Sequence, residues 1–504
     1  MEDYVMKNFI RILTAVLAII MLVPAAVSCA NTADPTETGA NASTTAPEAG
    51  NQDTVLEEVE TEIVSNIPAD LKFSGETVKI LYWQDVENPE FFVEDTNGES
   101  VNDAIYARNE RVQEQFDITL EFTGTPGNYN NQAAFINTCT NSTQSGSDAH
   151  DIFAGYSMTG ATLMTKALAQ DLTQYSIIEF DKPWWPETLI SKATIKDAIY
   201  FASGDISTNY LYMMYSTFFN KDMFIDLWGD TNVLYDLVHD QQWTLDKLIE
   251  YSTGVFMDQN GDNVASEGDR FGFVTINIHF DAFYTGSELS TVVTADDGSL
   301  VLSDDFYSQK ASDLVAKVCS FLHDSGESWI LNNGVIFPQN QALFTIDRVH
   351  FASKKLKEAD FDFGILPVPK YDLDQADYKT CMAFPFTTYV LSPAAPAAEA
   401  AAATLELLAY QSYRLITPAL FEESMKLRYA DAGADSLMYD IVRNCVVIDL
   451  GRLLTTQVNN YSYNIFRGAV NDNAAGSWDS KTKANGKLFQ KKIDSVNKDI
   501  EKLG

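Results

Sequence analysis

The sequence predicts an α/β protein of two lobes, and three observations carry that expectation. From Thr77 onward, strand-like and helix-like segments alternate, the pattern of a parallel sheet whose crossovers cover its faces. About 430 residues follow a polar N-terminal stretch. With 46% hydrophobic and 12% aromatic residues in the whole chain, they can fill two domain cores. Near Leu211 the chain leaves one strand pattern and enters a second, aromatic one.

Before the folded part, Lys7 and Arg11 flank the start of an apolar run from Ile12 to Val27. A basic end, a short apolar segment and small residues before a cut site describe a secretory signal peptide over 1–28. Pro24 interrupts the run, which falls short of the roughly 20 apolar residues of a spanning helix. Glu2 and Asp3 are out of place in a basic end, so Met6 is an alternative start. Ala-Val-Ser before Cys29 resembles a bacterial lipoprotein signal, although Ala26 stands where leucine is usual. That resemblance implies a diacylglycerol on the Cys29 sulfur. Acyl chains of the palmitate kind, at about 0.8 kcal/mol per buried CH2, would hold the protein at the extracellular face of the cell membrane. Residues 29–73 then read as an acidic tether without Lys or Arg before Lys72, too poor in apolar surface to offset the ordering of its backbone.

In the folded part, Thr77 to Trp83 is an alternating strand, and the polar QDVENPE after it must leave the sheet. Val101 to Phe116 is a helix with Ile105, Val112 and Phe116 along one side. Ile118 to Gly124 and His150 to Ser157 are further strands, and Thr162 to Gln170 is helical. Ligands of such sheets bind beyond the C-terminal ends of strands, which places Trp83, Asp85 and Tyr156 near a cleft. Asp197 to Ser207 leaves the first lobe, and Leu211 to Phe224 enters the second. Thr244 is placed to cap a helix containing Leu248. Ser308 to Leu322 is another amphipathic helix, and Gln341 to Val349 is a strand ending in charge. Phe361 to Asp372 is extended, and its Pro-x-Pro form suits a stiff connector rather than a central strand. Thr387 to Pro393 is a strand followed by a strong helix former. From Pro418 the chain is mostly helical, closing on Ser480 to Leu503, a lysine-rich segment without a long uninterrupted apolar stripe.

A formal charge of -37 argues against a nucleic-acid partner, because phosphate backbones need cations. It also disfavours a strongly anionic ligand, although one local Arg or Lys overrides a global field. The four cysteines besides Cys29 are widely spaced without a CxxC, and five histidines are too few for a His-rich metal site. No Gly-x-Ser-x-Gly elbow, HExxH motif or phosphate loop occurs, so no catalytic residue and no required cofactor is expected.

Together with Cys29 and the tether, four segments carry a resemblance: YFASGD at Tyr200 to Asp205, FFNKDMF at Phe218 to Phe224, WTLDKL at Trp243 to Leu248, and FDFGILPVPKYD at Phe361 to Asp372. In order and spacing they resemble the extracellular family 1 solute-binding proteins of ABC transporters, the maltodextrin-binding type among them. The resemblance implies a periplasmic-binding-protein-like fold (type II), its lobes joined by hinges around a ligand cleft. The first lobe would comprise 74–208 and 366–412, the second 209–365 and 413–504. Hinges would lie near Ser203 to Leu211, Gly364 to Lys370 and Tyr410 to Thr417. Gly204 would supply freedom there, while Pro367 and Pro369 fix a path. The implied partners are a small solute, foremost a carbohydrate, and the transmembrane subunits of an ABC permease. The implied mechanism is hinge closure by a monomer that meets the membrane only through its lipid.

Sugars have apolar faces that stack on rings and hydroxyls that need polar partners. Trp83, Tyr156, Trp184 and Trp185 are candidate faces, and Asp85, Asp205, Asp347 and Arg348 candidate polar partners. Each has a second reading. The aromatics fit a core equally well, Trp184-Trp185 between two prolines can pin a loop, Asp205 can order the hinge turn, and Asp347 and Arg348 can pair with each other. Asp258, Asn260, Asp262 and Asp269, with the Val264 carbonyl, occupy positions 1, 3, 5, 12 and 7 of a loop with the oxygen pattern of a calcium site. Asn263 replaces the sharp-turn glycine and Asp269 the bidentate glutamate, and an acidic surface turn is the alternative. Three other functions stay open: the same receptor class with a peptide or other solute, a surface scaffold or adhesion lipoprotein, and an extracellular glycoside hydrolase, whose carboxylate pair sequence alone does not reveal.

Overall fold

The computed structural model describes residues 63–421 and 434–503; Cys29, the leader and most of the tether lie outside the described residues. Its strands in chain order are β1 (Glu76–Trp83), β2 (Ile118–Thr125), β3 (Ile152–Tyr156), β4 (Thr194–Ile195), β5 (Ala198–Ile199), β6 (Tyr215–Asn220) and β7 (Phe271–Val274). They continue with β8 (Val292–Thr294), β9 (Leu300–Leu302), β10 (Ser328–Trp329), β11 (Ala342–Arg348), β12 (Phe363–Leu366) and β13 (Thr387–Leu391). One sheet runs β13-β3-β1-β2 and the other β10-β7-β11-β6-β12, while β4-β5 and β8-β9 are separate hairpins.

The two sheets share a plan. In the first, β1 lies between parallel β2 and β3, with antiparallel β13 beyond β3. In the second, β7 lies between parallel β10 and β11, with antiparallel β6 beyond β11. β3 (IFAGY) is buried at every position, as a strand covered on both faces must be. The helix Ser100–Phe116 buries Ile105, Val112 and Phe116 and stops at Asp117, whose φ of 54° breaks the helical path. Thr244 caps the helix Leu245–Ser252 by accepting from Lys247 N at 3.4 Å. This is the type II two-lobed arrangement expected from the sequence.

The chain first passes between lobes after Ala202, which still pairs with Tyr389 of the first sheet, and before Tyr215, where β6 begins. The return passage lies at Cys381–Phe386. There Tyr215 N donates to Cys381 O at 2.9 Å and Ala383 N to Met213 O at 2.8 Å. The two passages thus form one antiparallel ribbon centred on the Met214–Met382 bridge.

This corrects the hinge expected at Gly364 to Lys370. β12 pairs with β6 at the edge of the second sheet. Pro367 O accepts from Trp243 Nε1 at 3.0 Å, and Lys370 N donates to Trp243 O. Pro367 and Pro369 therefore end an edge strand, and the first-lobe segment begins near Ala383 rather than 366. Tyr410 to Thr417 packs on the first lobe, with Ser412 Oγ accepting from Arg108 and Thr417 Oγ1 donating to Asp205 at 2.7 Å. The chain is next described at Ala434–Asn444, against β12 of the second lobe.

The last helix, Trp478–Ile500, shows the interrupted apolar stripe that the sequence predicts. It buries Trp478, Thr482, Gly486, Phe489, Ile493, Val496 and Ile500 at intervals of three and four. Thr482 and Gly486 fill the gap in the apolar stripe because the Tyr307 ring lies over Gly486, where a Cβ would collide with it.

Candidate functional site

The C-terminal ends of β1 and β3 in one lobe face those of β7 and β11 in the other, and the groups that meet there form the candidate site. The loop after β1 carries Glu87 to Arg348 Nη1 at 3.1 Å, at the end of β11, with His350 Nδ1 3.9 Å from the same carboxylate. Asp85 accepts from Gly127 N at 2.8 Å, Asn128 N at 2.9 Å and Asn131 Nδ2 at 3.1 Å. This orders the turn bearing Tyr129, whose hydroxyl lies 3.3 Å from that of Tyr463 on the second lobe. Nearby, the Gln457 amide lies 2.8 Å from Thr162 Oγ1.

Rings and guanidiniums interleave beside these contacts. Phe384, in the ribbon's return passage, meets Tyr463 edge-on at 5.4 Å. Arg452 lies over the Phe384 ring at 4.1 Å and Arg467 over the Tyr463 ring at 4.3 Å, distances at which a cation is drawn to the ring face. Both guanidiniums bond to the buried Asp281, Arg467 through Nε at 2.6 Å, and Arg452 also donates to Met382 O at 2.8 Å. Burial alone would raise the Asp281 pKa, but the two cations outweigh it and hold the carboxyl below its usual range. Two small pockets open on this cluster. Ser157, Phe384 and Arg452 help line one, and Asp281, Arg452 and Tyr463 the other. Burial, then Glu87, raise the pKa of Tyr156, whose electrostatic neighbours Tyr215 and Tyr463 lie on the opposite lobe.

Asp347 accepts from Asn333 Nδ2 at 2.9 Å and Arg348 N at 2.7 Å, with His279 Nε2 at 3.6 Å. Burial lowers the pKa of His279 against the pull of Asp347, and lowers that of His350 to about 3 with help from Arg348.

The residues expected from sequence separate into two groups. Tyr156, Asp85, Asp347 and Arg348 come to the lobe boundary, Asp85 by ordering a loop. Trp83 is buried behind Tyr156, edge-on at 5.3 Å, with its Nε1 donating to Thr387 Oγ1 at 2.8 Å. Trp184 and Trp185 are core rather than platforms. Their indole N–H groups donate to Glu406 Oε1 and Oε2 at 2.9 and 2.8 Å. Asp205 is buried at the crossings, bonded to Thr417 and paired with Arg443 at 2.9 Å, so it orders the crossing segments. For these four residues the structural alternative is the one the geometry shows.

Sequence reasoning missed Glu87, Tyr129, Asp281, Phe384, Arg452, Tyr463 and Arg467. A usable signal existed: with 34 basic against 71 acidic residues, two arginines among the aromatic residues of the C-terminal helices stand out.

In the Asp258–Asp269 loop the side chains turn inward. Asp258 accepts from Gly261 N and Asn263 N, Asp262 from Val264 N, and Asp269 from Gln259 N and Ser266 N, all between 2.7 and 3.0 Å. Among the described residues, no group of three or more His, Cys, Asp or Glu is placed to hold a metal, and no helix is long and apolar enough to cross a membrane.

The sequence matches no family model and no curated protein, but its fold matches solved structures throughout. The cyclic alpha-maltosyl-1,6-maltose binding protein of Arthrobacter globiformis aligns with a TM-score of 0.56 at 15% identity, over 84% of this chain and 99% of that one. The fold is that of the two-lobed solute-binding proteins. The galacto-N-biose-/lacto-N-biose I-binding protein of the ABC transporter from Bifidobacterium longum, in complex with lacto-N-biose, gives 0.54 at 12%, over 85% and 98%. An ABC substrate-binding protein from Listeria monocytogenes in complex with cycloalternan gives 0.52 at 12%, over 85% and 99%. At these identities the likeness is one of fold, extending over both lobes.

Proposed function

We propose that this protein is an extracellular, lipid-anchored receptor that captures a carbohydrate between its lobes and delivers it to an ABC permease. The observation that carries the reading is the cluster at the lobe boundary, where Tyr156, Phe384 and Tyr463 stand beside Asp281, Arg452 and Tyr129. Rings beside hydrogen-bonding groups fit a sugar, whose faces stack while its hydroxyls bond at the edge. The cluster's arginines already share Asp281 or pair with Glu87, so a neutral ligand meets a site whose charges are satisfied. The three solved structures above bear sugar ligands or sugar-binding names, which supports the same ligand class. Binding works through differential affinity for the closed arrangement, with no bond made or broken, and one cleft per chain suits a monomer. The anchor is Cys29, and Cys29→Ser is expected to release the protein into the medium. Calcium at Asp258–Asp269 is part of the proposal as a structural ion: adding calcium should raise the unfolding temperature of the wild type and not that of Asp258→Ala.

The test is thermal unfolding of the secreted Cys29→Ser chain against mono- and oligosaccharides, amino acids and short peptides. A ligand one hundredfold above its Kd stabilises the native state by about 2.7 kcal/mol, an easily read rise in Tm. A saturable rise with one saccharide series is the expected result. A rise with peptides alone would keep the receptor and remove the sugar.

A further inference from the structure

The Glu87–Arg348 pair joins residues 261 positions apart. One partner is in the loop that leaves the first sheet after β1, the other at the end of β11 in the second. Among the described residues, the other ion pairs of the cleft region do not span it in this way, apart from His350, whose Nδ1 approaches the same Glu87 carboxylate at 3.9 Å. Asp205–Arg443 sits at the crossings, and Asp281 with Arg452 and Arg467 belongs to the second lobe. Arg348 is held ready for its partner. Its Nε lies 3.5 Å from Asp347 Oδ1, its Nη1 3.7 Å from Met213 Sδ, and its side chain is only 17% exposed. Asp347 is fixed in turn by Asn333 and by the Arg348 backbone N–H. Glu87, at 37% exposure, is the more exposed half of the pair.

We propose that Glu87 and Arg348 form an electrostatic lock between the lobes, one that favours the closed arrangement before any ligand is present. A pre-positioned guanidinium loses little freedom when the carboxylate docks, so the pair acts at the upper end of what a partly exposed ion pair supplies. The lock makes closure sensitive to ionic strength even when the ligand carries no charge, because salt screens partly exposed charges. It also places a polar barrier beside Tyr156 that a departing ligand must open, so weakening it should speed release. The inference rests on the two-lobe geometry and not on the sugar reading.

The experiment uses ligand-free protein, the Cys29→Ser chain and its Glu87→Gln variant, with small-angle X-ray scattering in about 20 mM and about 0.5 M NaCl. The expected result is a closed-to-open ratio about two- to fivefold higher in the parent at low salt, falling toward that of E87Q as salt rises. E87Q itself should respond little. An Arg348→Gln variant and the double variant complete a cycle in which the second substitution adds almost nothing to the first. Identical scattering of parent and E87Q at low salt would overturn the lock, and so would additive effects in the cycle. Neither outcome bears on whether sugars bind, which the thermal panel reads separately.

Discussion

Glu406 is fully buried, with three N–H donors on its carboxyl: Trp184 Nε1, Trp185 Nε1 and Glu179 N. Burial pushes its pKa up to about 7 against the pull of those donors. A carboxyl whose folded pKa exceeds its unfolded value binds its proton more tightly when folded. Its stabilisation is therefore complete below about pH 4.5 and is lost as pH rises toward 7. Glu406→Gln should remove that slope, so urea midpoints of wild type and E406Q, compared from pH 5 to 8, should diverge by about 2–3 kcal/mol. His350 has the opposite sign. With a folded pKa near 3 and an ordinary unfolded value, it stays neutral in the fold and stability falls as acid protonates the unfolded chain. At the cleft, Phe384→Ala should weaken ligand binding about tenfold, roughly 1.4 kcal/mol, in titration calorimetry with whichever saccharide the panel identifies. The Trp184-Trp185 pair shows the limit of reading single residues. Aromatic content is visible in sequence, but the buried carboxylate that claims both indoles lies more than 200 residues away.

Elements were more legible than their partners. Strands β1, β2, β3, β11 and β13 follow from short alternating or apolar runs, and the Thr244 cap from its position before a helical pattern. The return crossing was not legible, because Pro367 and Pro369 look like a linker whether they join lobes or end an edge strand. What decides it is hydrogen bonding to Trp243 and Thr217, which sequence does not display. Gly204 was expected for flexibility, and the structure assigns it a tighter reason. Its φ is 153° and a Cβ there would stand 2.3 Å from Trp184 O, the carbonyl that accepts from Asp205 N. Gly204→Ala should therefore destabilise the fold by roughly 2 kcal/mol or more, read as a lower urea midpoint, whether or not ligand is bound.

For the molecule as a whole, the two-lobed plan was readable because each lobe repeats an alternation long enough to count. The site was only half readable, since its members come from loops after β1 and β3, from the ribbon and from C-terminal helices that meet only in three dimensions. The ribbon has a mechanical consequence. Its two strands are hydrogen-bonded to each other, and Val349 and His350, directly after the lock residue Arg348, donate to Met214 and Tyr212 in the same ribbon. Two bonded strands resist stretching and sideways shear far more than they resist torsion. In the proposed closure, the ribbon therefore favours twist over translation, and a ligand would be sensed as a choice of angle.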